Sequence, residues 1–334
     1  MYQEKPANEL INKIELLRGS RVITYVTSDQ QPPLAARMAL DTMPIFYNHI
    51  KKIEKTKRID LFIYSTGGDI VLPWRLVNLI REYCQQFSVL IPYKAHSAAT
   101  MLALGADSIV MGPLGELSPI DPSIETPFNP PHSDVPNEPK IPIGVEDVFS
   151  YINLAKEKMS ITDQNNLVQI LDKLIEKIHP LAIGAVYRSH SLIRLLATRL
   201  LQLHMRKKND IYLIQQIVND LVEKLFYHGY LISRNEAKNL GLKIVYPSLE
   251  LEEAMWGLYQ HYSNSMGIGK AFDPISILPD DKESIELEVS IAEICSAGLQ
   301  SNFKKWLKIT RISSGIGMPP QIQMMEKNMG WVNF

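Results

Sequence analysis

Apolar positions along the chain recur with two periods, and the switches between them outline the elements. Leu10, Ile11, Ile14 and Leu17 fall at helical spacing over residues 8–17, and Arg18-Gly19-Ser20 closes that helix. RVITYVTSD (21–29) is β-branched and predicts a strand; Pro32 and Pro33 interrupt it, and 34–50 resumes a helical period. IDLFIYS (59–65) is apolar enough to be a strand buried on both faces of a parallel sheet. A helix over 69–86, a strand at 87–93, a helix from Ser97 to Gly105 and a strand at 108–113 follow. The order β-α-β-α-β-α-β predicts an α/β fold, a layered parallel sheet with helices. Residues 125–143 carry many prolines and read as a loop, a flap over a site. From 145 to 228 the period is helical (145–159, 163–178, 181–205, 211–227), a helical arm. A helix at 234–241, a strand at 243–247 and a helix at 250–262 come next. Residues 284–298 alternate and predict a strand, with 303–313 as its partner; no element is predicted after 314. The pattern divides the chain into a main domain, 1–262, that includes the helical segment 145–227, and a C-terminal extension, 263–334, read as an element for oligomerisation or a partner.

Composition narrows the class. Apolar residues make up 46% and charged residues 21%, the balance of an ordinary globular protein. A net charge of −1 offers no basic surplus for nucleic acid. The two cysteines, Cys84 and Cys295, lie in apolar surroundings, which suits a reducing, cytoplasmic setting. The N-terminal twenty residues are polar and lack the apolar centre of a signal peptide. No run approaches the roughly 18–20 apolar residues that span a bilayer, so no transmembrane segment is expected; association with a membrane surface stays open. No metal or organic cofactor is indicated.

The chemistry concentrates in two short stretches. In YSTGGD (64–69) a buried strand ends in two glycines before a helix begins. In KAHSAATMLALGAD (94–107) a strand runs into a turn with a serine at the start of a helix, among Ala95, Ala98 and Ala99. Small neighbours would let a substrate carbonyl approach Ser97 Oγ. The backbone N–H groups of Gly67, Gly68 and Ala98 are candidate donors to the oxyanion that an acyl transfer develops. Alone, a glycine pair is more often a tight turn and a serine before a helix more often an N-cap. Their placement on adjacent parallel strands gives the pair its meaning. A phosphate-binding loop is excluded, because no Lys-Ser/Thr follows the glycines.

IDLFIYSTGGDIV and HSAATMLALGAD resemble the glycine turn and the nucleophile helix of the proteolytic subunit of Clp protease and of signal peptide peptidase A. ISRNEAKNLGLKIV (232–245) resembles their closing helix and strand. Ser97-Ala98-Ala99-Thr100 together with Leu117-Ser118-Pro119-Ile120-Asp121-Pro122 is most similar to the serine dehydrogenase proteinase family. The resemblance covers roughly residues 20–250. It implies a Clp/crotonase-like fold, a serine peptidase with polypeptide substrates, and, because relatives form closed rings, a homo-oligomer. The Clp-type histidine after the fourth strand is replaced here by Asp121, and His228 stands near the usual place of the acid. The two roles exchanged, with His228 as base and Asp121 orienting it, is the triad this spacing predicts. The rival is a Ser–Lys dyad through Lys156 or Lys158, which lie in a charged helix that reads as a solvated face. His96 and Lys94 read as structural, His132 as solvated, Asp69 as a first-turn residue and His179-Pro180 as a helix boundary. Tyr187 and Arg188 divide between lining the site and ordinary surface. Two other functions remain as alternatives: a non-catalytic scaffold of this fold, and an acyl-CoA enzyme of the crotonase type, which would need no serine nucleophile.

Overall fold

The computed structural model describes residues 6–120, 123–131, 140–224, 229–279, 281–296, 298–312 and 321–333. In chain order, α1 (Ala7–Arg18) leads to β1 (Arg21–Thr27), α2 (Met43–Ile53), β2 (Thr56–Tyr64), α3 (Leu72–Arg81), β3 (Cys84–Ile91), β4 (Lys94–Ala95), α4 (Ala98–Leu104), β5 (Ser108–Met111) and β6 (Glu116–Leu117). The chain then builds a second unit, residues 118–231. This holds β7 (Ser123–Ile124), β8 (Ile143–Gly144), α5 (Val145–Asn153), α6 (Gln164–Ile175), α7 (Pro180–Gln202) and α8 (Asp210–Asn219). It returns to the first unit with β9 (Ile232–Ser233), α9 (Arg234–Asn239), β10 (Ile244–Val245), α10 (Leu249–Met266), a short α11 (Pro274–Ile277), β11 (Ser284–Ser296), β12 (Leu299–Ile312) and β13 (Gln321–Asn333).

The first unit is built on an eight-stranded sheet in the order β10-β5-β3-β2-β1-β11-β12-β13. The five strands from β10 to β1 run parallel, and β11, β12 and β13 add antiparallel strands beside β1. This is the layered α/β architecture that the alternating periods predict. Successive strand side chains face opposite sides. Val22 and Val26 therefore join the core beneath α1 and α10, with Phe62, Leu90, Leu258 and Tyr262. Tyr25 points the other way and meets Phe46 of α2 edge-on, ring centroids 5.2 Å apart. Asp60, fully buried in β2, is held by Arg18 Nε at 2.8 Å and Ser20 Oγ at 2.9 Å, so its charge is matched at the strand's entry.

Three elements differ from the sequence pattern. The helix expected over 34–50 starts only at Met43, after a single 3₁₀ turn at Leu40–Thr42. The preceding residues are extended because Met38 is bridged to Gly68: Met38 N–H donates to Gly67 O and Asp69 N–H to Met38 O, each at 2.8 Å. The helix expected over 69–86 begins at Leu72, where Pro73 suits a first turn, and ends at Arg81 so that β3 can start at Cys84. The residues after 314, for which no element is predicted, include β13, which pairs antiparallel with β12 just before it; most of its side chains are exposed, so no apolar alternation announces it.

The segment 263–334 supplies β11, which pairs with β1 from Ile23↔Ser296 to Thr27↔Ala292. Its residues Ile291, Ile294 and Cys295 are buried. The excursion to the second unit opens and closes on one ladder, since β6 and β9 are antiparallel partners. Within the second unit, Ile143, Val145, Val148, Ala182 and Val186 form a small core, and α8 buries Ile214, Ile217 and Val218. The described ends of the proline-rich loop form a small hairpin through β7 and β8, and the Asn129 side chain donates to the carbonyls of Ile124 and Ile141. Among the described residues, no helix is long and apolar enough to cross a membrane.

Candidate active site

The two stretches singled out in the sequence meet. Past the end of β2, Ser65 bridges to Ala95 of β4: Ser65 N–H donates to Lys94 O and His96 N–H to Ser65 O, both at 3.0 Å. This ladder lays the glycine turn directly against the turn that carries Ser97. Gly67 has φ +101°, and a Cβ on it would stand 2.8 Å from Ser97 Cβ and from His96 O, and 3.1 Å from Ala98 N. Gly68 faces the other neighbour: a Cβ there would be 2.1 Å from Met38 O. Both glycines thus answer to close backbone approach, one toward the serine and one toward Met38.

Ser97 itself has φ 51° and ψ −113°, a conformation that costs a non-glycine residue strain. It occupies the sharp strand-to-helix turn typical of a nucleophile elbow. Its side chain accepts no hydrogen bond from the first turn of α4, so Ser97 is not an ordinary N-cap. The turn is pinned by Ala99 N–H to His96 O (2.9 Å), Met101 N–H to Ser97 O (3.0 Å) and Thr100 Oγ1 to Ala95 O (2.7 Å). The far end of α4 is anchored by Asp107, whose carboxylate takes Arg81 Nη2 at 3.1 Å and Phe87 N–H at 2.7 Å. Ala98, Ala99 and Thr100 are fully buried, while Ser97 is half-exposed. Gly67 N–H donates to Ser65 Oγ at 3.1 Å, and that oxygen also accepts from Thr27 Oγ1 at 2.8 Å. Among the described residues, Gly68 N–H and Ala98 N–H donate no backbone hydrogen bond outside the regular elements.

Charged side chains flank the turn. His96 Nε2 lies 3.0 Å from Glu116 Oε1, and burial raises the Glu116 carboxyl while Lys94 lowers it. Lys94 Nζ is 2.7 Å from Asp29 Oδ2, which also accepts from Tyr64 OH at 2.8 Å. Burial acts to lower the Lys94 ammonium, but the hydrogen bond and charge of Asp29 outweigh it and the net direction is up. Lys94 is therefore a cation held in an ion pair and not a base.

A serine on a strained elbow after β4, beside the glycine turn that follows β2, stands in a chain that a family profile matches. That of the ClpP-like SDH-type serine proteinases covers residues 1–173, just over half of the chain. The chain belongs to this family. The matched span contains the glycine turn, Ser97 and Asp121, and stops short of His228. Two uncharacterized proteins of Methanocaldococcus jannaschii are also similar. MJ0137 is 28% identical over 125 residues, 36% of this chain and 42% of that protein; MJ1495 is 27% identical over 119 residues, 34% and 41%. The chain thus spans about two fifths of the length of each.

The other residues predicted from the sequence fall in different places. Asp121, His228 and His132 lie outside the described residues. Lys156 and Lys158 are exposed on a π-helical turn, Leu154–Lys158, in the second unit. Tyr187 and Arg188 are exposed on α7. His179 caps α7, its Nδ1 accepting from Leu181 N–H at 3.1 Å, as a helix boundary should. Asp69 Oδ1 accepts from Val71 N–H at 2.8 Å just before α3. Sequence reasoning missed Met38, Ser65 and Glu116. Only Ser65 carried a local signal, its place in the Ser-Thr-Gly-Gly run.

Proposed function

We propose that this protein hydrolyses polypeptides through an acyl intermediate on Ser97. The observation that carries this reading is the Ser97 elbow, strained, uncapped and in contact with Gly67. In the reaction, Ser97 Oγ attacks the scissile carbonyl carbon and its proton passes to a base. The C–N bond breaks as that proton reaches the leaving amine, and water then cleaves the ester and restores the serine. Gly68 N–H and Ala98 N–H are the donors assigned to the oxyanion. Gly67 contributes space, since its amide already serves Ser65 Oγ. His228 is assigned as base and Asp121 as its orienting acid. The lysine alternative is disfavoured because Lys156 and Lys158 are exposed, and a lysine base needs desolvation. By resemblance to ring-forming relatives, the working unit is a homo-oligomer.

A fluorophosphonate probe followed by peptide mass spectrometry tests the reading. Labelling at Ser97 that disappears in Ser97→Ala, and that falls at least about 100-fold in rate in His228→Ala, is expected. Unreactive Ser97 in a folded protein would instead support the non-catalytic scaffold. Full reactivity in His228→Ala would remove only the assignment of the base.

A further inference from the structure

A concave site lies outside the Ser97 turn. One wall is the chain just past β3 and β5, with Pro92, Pro113 and Leu114; the other is a flank of α10, where Glu252 and Trp256 are partly buried and Met255 is buried in the core. The cavity measures about 230 Å³. That is below the roughly 300–1,000 Å³ of small-molecule sites and suits one long side chain. Its walls are set by the fold. Leu251, Leu258 and Tyr262 fix α10 on the sheet from the buried side. The turn opposite is closed by Gly112 N–H to Ile91 O (3.0 Å) and Gly115 N–H to Gly112 O (2.9 Å). Trp256 rests against the Tyr259 ring, centroids 4.9 Å apart.

The lining is apolar apart from one ionisable group. Glu252 stands three and four residues before Met255 and Trp256, so all three share one helix face. Glu250, in the same turn, pairs with Lys13 at 3.6 Å. Among the described residues, the Glu252 carboxylate has no hydrogen bond or ion pair. An aliphatic slot with an indole and an unpaired carboxylate matches a side chain that is aliphatic along its stem and cationic at its tip.

We propose that this cavity binds the side chain of a lysine or arginine presented by a polypeptide. The stem packs against Pro92, Pro113, Leu114 and Met255, and the charged head meets Glu252 beside Trp256. Ser97 lies five positions after Pro92, at most roughly 18 Å of extended chain, so a polypeptide bound near Ser97 reaches the cavity within a few residues. The inference does not depend on hydrolysis, and its test reads binding alone.

Nα-acetyl-lysine methylamide and Nα-acetyl-norleucine methylamide share a stem and differ in charge. Each is titrated into the full chain carrying Ser97→Ala, with tryptophan fluorescence as the readout and Trp256→Phe to assign the signal to the cavity. The lysine derivative is expected to bind about 5-fold tighter than norleucine at low salt, the scale of one partly exposed ion pair. Glu252→Gln is expected to erase that preference without weakening norleucine binding. Equal affinity of the two ligands, a preference that survives Glu252→Gln, or no saturable change that depends on Trp256 would each overturn the proposal.

Discussion

At Gly67 the missing side chain lets the glycine turn approach the Ser97 elbow. A methyl group there would press on Ser97 Cβ and the His96 carbonyl at 2.8 Å, and the positive φ adds strain for any L side chain. Because the neighbours are backbone and Cβ atoms, they yield only by moving the elbow. Gly67→Ala is expected to slow fluorophosphonate labelling of Ser97 by about 100-fold, since displacements near 1 Å suffice for such losses. Near-UV circular dichroism would check that the fold persists. His49 is a second residue with a readable consequence. It is fully buried on α2, with Nδ1 2.8 Å from Ser296 Oγ and Nε2 3.0 Å from Ser301 Oγ. Burial, with a smaller contribution from Lys52, lowers it to about 4. The folded state therefore resists a proton that the unfolded chain accepts near pH 6.5. Its contribution to stability is complete above that pH and declines as pH falls toward 4, by roughly 3 kcal/mol in all. His49→Gln, which cannot titrate, is expected to flatten the fall in urea midpoint between pH 7 and pH 4.5 relative to the parent.

Elements carry the site through their docking. α10 covers one face of the sheet with Leu251, Leu258 and Tyr262, and Leu258 is fully buried. Leu258→Ala is expected to cost about 2–5 kcal/mol in chemical unfolding, the range for a leucine cavity. Tyr262→Phe removes one buried bond to Thr24 Oγ1 (2.7 Å) and is expected to cost about 1 kcal/mol. The two short strands β4 and β6 show how little sequence an essential element needs. Each is two residues long, yet β4 ties the elbow to Ser65 and β6 ties the return from the second unit to β9. No periodicity can announce a two-residue strand, whereas β2 and β3 were legible because long apolar runs bound by turn residues are their own signal.

For the first unit as a whole, β11 is the strand to test. It covers the β1 edge and places Ile291, Ile294 and Cys295 in the interior. A chain ending at residue 283 would expose that edge and empty part of the core. It is expected to lose cooperative thermal unfolding, while a chain ending at 312, lacking only β13, is expected to keep it. A cooperative transition in the shorter chain would show that β11 is dispensable. The chain leaves the first unit after β6 and returns to it at β9, and these two strands are antiparallel partners.

The sequence alone determined the alternation of strands and helices, the layered α/β class, and the two stretches at 64–69 and 94–107, because periodicity and turn chemistry are local. It also pointed to Ser97 through resemblance to a proteinase family, and the family itself is matched over residues 1–173. Only the tertiary structure decided why the glycines are required, because their constraints come from Met38, His96 and Ser97, residues distant in the chain and near in space. It likewise decided the strain at Ser97, the Glu116 partner of His96 and the eight-stranded extent of the sheet. Each depends on backbone hydrogen bonds between segments whose sequences carry no record of one another.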